Sequence, residues 1–180
     1  MIVISDNSAD DTVAVARAAG ADVIETQDNT HKKAGALNQV LGALLPGLTW
    51  QDAVLVMDAD TVLAAEFVEV AARSLEESPQ KVAIGGVFYG DEGSGLIGQL
   101  QRSEFARYSR DVARHQGRVF VLTGTATLFL AGALATVAEH RGRDLPGTGG
   151  QVYDRGQRAD PGAQDPRRGR RVAGAVQGAD

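Results

Sequence analysis

The chain contains no cysteine and only three histidines among its 180 residues. The lack of cysteine excludes disulfide frameworks, thiolate zinc sites and cysteine nucleophiles, and three histidines leave little for imidazole sites. No apolar run approaches the roughly 20 residues that a membrane-spanning helix needs, and no basic segment opens the N-terminus as in a secretion signal. With 43% hydrophobic and 23% charged residues, the composition is that of one ordinary globular domain.

Clustered positive charge is also lacking. The formal net charge is -5 at pH 7, whereas proteins that bind nucleic acid through its phosphates usually display a basic face. The sequence therefore predicts no nucleic-acid partner.

Core-forming residues are scarce at the C-terminal end. Residues 148–180 hold six Arg and seven Gly but no Leu, Ile, Met or Phe. Such a segment cannot build a core, so we place a boundary near Gly147. The predicted organisation is a domain over residues 1–147 and a Gly/Arg-rich tail over 148–180, which is expected to be disordered or out of frame.

Residues 1–147 alternate short β-branched runs with longer Ala/Leu-rich stretches, which is typical of βαβ units. The predicted strands cover residues 2–5, 22–25, 53–57, 81–89 and 118–122. The predicted helices cover residues 11–19, 33–45, 65–75, 96–115 and 132–141. The expected fold is α/β, with a mostly parallel sheet flanked by helices.

Ligands of open α/β sheets bind at the carboxyl ends of the strands. The loops expected there are residues 5–8, 58–60 and 123–127, and two of them are acidic. Asp58 and Asp60 directly follow the clearest strand, and two such carboxylates can converge on one divalent cation. The same Asp-x-Asp could instead be a turn that caps the following helix.

Four segments carry a family resemblance. They are Ile2 to Thr12, the Lys-Ala-Gly-Ala-Leu-Asn run from Lys33 to Asn38, the segment Val54 to Thr61, and Thr123 to Ala126. In this order and spacing they resemble the family 2 glycosyltransferases with the GT-A fold, a Rossmann-like nucleotide-sugar fold. The similarity is greatest to the processive cellulose, chitin and poly-N-acetylglucosamine synthases, and it covers about residues 1–140.

The resemblance implies a role for each candidate residue. Asp6 would accept a hydrogen bond from the uracil ring of a UDP-sugar, and Lys33 would offset diphosphate charge. Asp58 would approach the ribose or the metal, Asp60 would ligate Mg or Mn, and Gly124 would border the acceptor site.

Two further residues lie close to these. Gly35, like Gly124, would permit close backbone approach. His31 lies beside the lysines and is left out of the site.

The implied function is metal-assisted transfer of a sugar from a UDP-sugar donor to a growing glycan acceptor, with inversion. The parent of this chain would be an integral membrane protein, anchored by segments absent here, with this domain on the cytoplasmic side.

The chain departs from the family pattern in three places. The first strand of the family, the Thr-Glu-Asp segment that supplies the catalytic base, and the Gln-x-x-Arg-Trp helix are missing from the sequence. Back-translation of residues 154–160 with permitted codons, shifted by one base, reads Thr-Glu-Asp-Asn-Glu-Leu. We therefore hypothesise a frame shift upstream of Asp154, which predicts a catalytically incomplete fragment.

Two alternatives stay open. The segment Val54 to Leu63 also resembles the first motif of haloacid-dehalogenase-type phosphatases, with Asp58 as nucleophile, Asp60 as general acid and Thr123 binding phosphate. The other alternative is a non-catalytic binding module.

Overall fold

The computed structural model describes residues 1–87, 95–114, 122, 125–144 and 175–176. The strands in this part of the chain are β1 Ile2–Ser5, β2 Asp22–Glu25, β3 Ala53–Met57, β4 Ala83–Gly86, β5 Ala126–Leu130 and β6 Ala175–Val176. The helices there are α1 Thr12–Ala18, α2 Lys32–Leu44, α3 Phe67–Glu77, α4 Gly95–Arg114 and α5 Ala131–Asp144, with a 3-10 turn at Leu45–Gly47.

The chain divides into two compact units. The first comprises Met1–Asp52 and Ala131–Gln157, and the second comprises Ala53–Leu130 and Arg158–Asp180. The predicted domain boundary near Gly147 rests on composition and not on this division into units, and it stays a prediction.

In the first unit β1 and β2 pair in parallel, with Ile2 opposite Asp22 and Ser5 opposite Glu25. Helix α1 connects the two strands. It begins where the Asp10 carboxylate accepts the Thr12 N–H at 3.1 Å, so an acidic side chain satisfies a helix N–H that has no intrahelical partner.

Helix α2 follows β2 and contacts β1. Its buried side chains Ala36, Leu37, Val40 and Leu41 recur at helical spacing and so form one apolar face. This face fixes the start of α2 within the first unit.

The second unit holds a four-stranded sheet in the order β3-β5-β4-β6. Strand β5 runs antiparallel to both β3 and β4, and β6 is parallel to β4. The mostly parallel arrangement therefore holds for the first sheet but not for the second, which is mixed. The reason is β5, a central strand that the sequence pattern did not predict.

The core of the second unit lies between helix α3 and this sheet. Phe67, Ala71 and Leu75 follow one another at intervals of four on α3, and they pack with Ile84 of β4 and Leu128 of β5. The predicted strand 53–57 has the expected bounds, but only Val56 of it is buried, because β3 lies at the edge of the sheet.

Predicted strand 118–122 lies outside the described residues except for Leu122, as does Gly124. In the part of the chain that the structure describes, no helix has both the length and the apolar character of a membrane span.

Candidate functional site

Asp6 follows directly on β1, at its carboxyl end. Its Oδ1 accepts hydrogen bonds from Thr26 Oγ1 at 2.7 Å and from Asn29 Nδ2 at 2.8 Å. These hydrogen bonds stabilise the ionised carboxylate, and the bond from Thr26, followed by that from Asn29, holds the pKa of Asp6 below its ordinary value. Asp6 is therefore an oriented anion at neutral pH.

Asn29 connects this carboxylate to the start of α2. Its Nδ2 donates to the Lys32 carbonyl at 2.8 Å as well as to Asp6, and its Oδ1 accepts the His31 N–H at 2.9 Å. The loop that carries Asn29 is also attached to α2 through Gln39. Its side chain accepts the Gln27 N–H at 3.1 Å and donates to the Gln27 carbonyl at 2.8 Å.

Backbone strain concentrates in the same loops. Among the residues that the structure describes, three non-glycine residues have φ in the left-handed region, Asn7 at 56°, Asp28 at 48° and Lys32 at 52°. Asn and Asp tolerate this conformation and lysine does so less readily. Such outliers cluster at binding sites, where the surrounding contacts hold them.

Lys33 lies half-buried in the first turn of α2. The N-cap residue His31 makes no side-chain capping bond, and the first turn contains no acidic residue. The positive end of the helix dipole and two successive lysines therefore reinforce each other, which favours an anion at this position.

Asp58 and Asp60 share a turn directly after β3. The Asp58 carbonyl accepts the Thr61 N–H at 3.2 Å, and the Asp58 N–H donates to the Thr125 carbonyl at 2.8 Å. Because β5 is antiparallel to β3, its first residues lie at the carboxyl end of β3, and Met57 pairs with Ala126. The turn is thus anchored to the start of β5, with Asp58 half-buried and Asp60 exposed.

The described residues contain no group of three or more His, Cys, Asp or Glu side chains that could hold a metal ion. Two carboxylates on one turn do suit Mg²⁺ or Mn²⁺ when substrate phosphates and water complete the shell, because these cations prefer oxygen ligands and Mg²⁺ retains several waters. The donor set of Asp58 and Asp60 therefore fits a metal that is shared with a bound diphosphate.

A cavity of about 240 Å³ lies elsewhere in the first unit, between Trp50 and helix α5. Its lining includes Thr136 and Glu139 but none of the predicted site residues.

Sequence reasoning missed Thr26 and Asn29. They lie 20 and 23 residues after Asp6, and their contact with it depends on the conformation of the loop that follows β2. The sequence did carry one local signal, because Asn is typical of Asx turns, in which its side chain accepts the backbone N–H two residues further on.

The model of glycosyl transferase family 2 matches residues 1–137. The chain belongs to this family. The match includes the segment that also resembles a phosphatase motif, so neither the phosphatase nor the non-catalytic alternative is favoured. The α/β fold expected of a GT-A domain is confirmed for this family 2 chain.

Solved structures give more distant likenesses. Glucosyl-3-phosphoglycerate synthase from Mycobacterium tuberculosis, in complex with Mn²⁺, UDP-glucose and phosphoglyceric acid, is 24% identical with a TM-score of 0.47, over 84% of this chain and 50% of that one. A further mycobacterial protein is 21% identical with a TM-score of 0.50, over 83% of this chain and 52% of that one. This family 2 chain thus spans about half the length of both. No curated protein matches it.

Proposed function

We propose that this chain binds the nucleotide of a UDP-sugar and is part of a glycosyltransferase that transfers the sugar to a glycan. The observation that carries the proposal is Asp6, an oriented carboxylate at the end of β1 within a sequence that belongs to family 2.

Recognition of the base is assigned to Asp6. The uracil ring of a uridine nucleotide has one N–H donor, and an ionised carboxylate is a strong acceptor for it. The lowered pKa of Asp6 supports this role, because the carboxylate stays ionised over the whole neutral range.

Recognition of the diphosphate is assigned to Lys33 and the start of α2. The lysine supplies a point charge, and the helix N-terminus supplies backbone N–H groups and the positive end of the dipole. Both features support an anionic ligand.

Asp58 and Asp60 are assigned as ligands of a divalent metal, Mg²⁺ or Mn²⁺. Asp58 is also proposed to approach the ribose. When bound, the metal supplies positive charge that stabilises the departing UDP. Gly124 is proposed to border the acceptor site, and it lies outside the described residues.

The proposed reaction forms a bond between an acceptor hydroxyl oxygen and the anomeric carbon while the bond from that carbon to the UDP oxygen breaks, with inversion. The hydroxyl proton needs a base, and these 180 residues lack the Thr-Glu-Asp segment that supplies it in the family. We therefore expect binding without transfer. A processive, membrane-anchored parent with this domain in the cytoplasm is part of the proposal.

Calorimetry of the full chain with UDP tests the metal assignment. We expect UDP to bind only with Mn²⁺ or Mg²⁺ present, and we expect Asp60→Ala to abolish this metal dependence because a ligating carboxylate is lost. The matched control is Glu76→Ala, which removes one exposed carboxylate of α3 in the same unit. Equal UDP affinity with and without metal would contradict the metal assignment, and no UDP binding under either condition would contradict the donor proposal.

Transfer is tested separately. No radiolabel is expected to enter polymer from a UDP-sugar incubated with this chain, and incorporation would overturn the claim that it is catalytically incomplete.

A further inference from the structure

The amide of Asn29 has one orientation that its surroundings permit. Its Nδ2 faces two acceptors, Asp6 Oδ1 and the Lys32 carbonyl, and its Oδ1 faces the His31 N–H. Exchanging the two amide atoms would place an oxygen against a carboxylate and a carbonyl and an NH₂ against an N–H, so every bond would be lost. Asn29 therefore holds three segments, the end of β1, its own loop and the start of α2.

Gly35 makes room for this amide. A Cβ at position 35 would lie 2.9 Å from Asn29 Cγ and 2.9 Å from His31 Cβ, closer than real Cβ contacts permit. Any side chain at position 35 would displace Asn29 from its place against α2. The glycine of the Lys-Ala-Gly run thus acts on Asp6 through Asn29.

The hydrogen bonds to Asp6 all reach the same oxygen. Within the described residues, Oδ1 accepts from Asn7 at 3.2 Å, from Thr26 at 2.7 Å and from Asn29 at 2.8 Å. With Oδ1 engaged by the protein in this way, Oδ2 is the oxygen left for a ligand. The protein contacts thus fix the rotation of the carboxylate about its Cβ–Cγ bond and hence the direction of Oδ2.

We propose that Asn29, seated on Gly35, is a positioning residue for base recognition: it holds Asp6 so that Oδ2 accepts the ring N–H of uracil. This inference rests on the proposed function, because it assumes that Asp6 meets the base. It adds that selectivity for the ring N–H depends on a residue that does not touch the nucleotide.

The experiment pairs a change in the protein with a change in the ligand. UDP and its N3-methyl derivative, which lacks the ring N–H, are titrated by calorimetry into the full chain with Mn²⁺. For the unaltered chain we expect methylation to weaken binding by about tenfold or more, since a hydrogen bond to a charged group is lost. For Asn29→Ala, Asn29→Asp and Gly35→Ala we expect this penalty to shrink to about threefold or less, because Asp6 loses the donor that ties it to the start of α2 and keeps only the bonds from Thr26 and Asn7.

The matched control is Gln39→Ala. Gln39 fastens the same loop to α2 through Gln27 and makes no bond to Asp6, so its variant is expected to keep the full methylation penalty. If the order of this loop alone set the discrimination, Gln39→Ala would show the same reduced penalty as the Asn29 variants. Asn29→Asp has nearly the size and shape of the original residue and remains a test where a truncation fails to fold, which circular dichroism reports.

The outcomes separate the two proposals. If the unaltered chain binds UDP and N3-methyl-UDP equally, Asp6 does not read the base, and the base assignment in the proposed function falls together with this inference. If the unaltered chain discriminates and the Asn29 and Gly35 variants discriminate equally well, this inference alone is overturned. A reduced penalty in Gln39→Ala would also overturn it, since loop order would then suffice.

Discussion

Asp6 links stability to pH. Its pKa in the folded chain lies below the ordinary value because Thr26 and Asn29 donate to the carboxylate. A depressed folded-state pKa contributes stability that is present above the unfolded pKa and is lost as the pH falls through the folded one. We therefore expect the melting temperature to fall below about pH 4 partly through Asp6.

Comparison with Asp6→Asn isolates this contribution. The variant cannot ionise at position 6, so the gap in melting temperature between it and the unaltered chain should narrow as the pH falls from about 6 to about 3. Asp10 and Asp52, whose pKa values are also lowered by hydrogen bonds from Thr12 and Thr49, titrate in both proteins. A gap that stays constant over this range would refute the expectation.

Gly132 and Trp50 form a tight contact within the first unit. A Cβ at Gly132 would lie 2.7 Å from Trp50 Cγ, so Gly132→Ala should overpack this contact and lower the free energy of unfolding by about 1–3 kcal/mol. Urea denaturation measures the change. Gly42 of α2 is the matched control, since nothing lies within 4 Å of a Cβ there and alanine should stabilise the helix by up to about 1 kcal/mol. Equal effects of the two substitutions would contradict the packing argument.

At the scale of single residues, the sequence predicted Asp6, Lys33, Asp58 and Asp60 from residue type, position after strands and family resemblance. Their roles stay predictions. The contact from Asn29 to Asp6 was not predictable, because it spans 23 residues and depends on a loop whose conformation includes left-handed φ values.

Among the elements, α3 makes the most testable contribution to the core. Leu75 is 7% exposed and packs in the cluster with Ile84 and Leu128, whereas Val68, in the first turn of the same helix, is 48% exposed. We expect Leu75→Ala to lower the free energy of unfolding by about 2–5 kcal/mol and Val68→Ala to lower it by less than about 1 kcal/mol. Chemical denaturation of both variants checks this, and comparable losses would place the core elsewhere.

The predicted strands β1, β2 and β3 have the observed bounds, because each is a short run rich in β-branched or aliphatic residues and is followed directly by a polar residue. Strand β5 was not predicted. Leu130 ends it and Ala131 begins α5 with no residue between them, so no Gly or Pro marks the change from strand to helix. The apolar run of β5 merges in the sequence with the apolar start of α5.

For the molecule as a whole, the net charge of -5 supports a prediction about partners. We expect the chain not to bind duplex DNA at about 0.15 M salt, because nonspecific binding needs a cluster of cationic side chains that displaces the counterions of the DNA. Fluorescence anisotropy of labelled DNA measures this binding. A saturable anisotropy change that weakens with added salt would contradict this.

The left-handed backbone of Lys32 has a consequence for how the chain would respond to selection. A lysine at φ 52° costs about 1–2 kcal/mol relative to an ordinary backbone conformation, a cost from which glycine is exempt. Lys32→Gly keeps the carbonyl that Asn29 uses and removes a cation from the start of α2. A laboratory evolution experiment that rewards heat tolerance alone should therefore favour glycine at position 32, whereas one that rewards capture of a phosphorylated ligand should retain lysine.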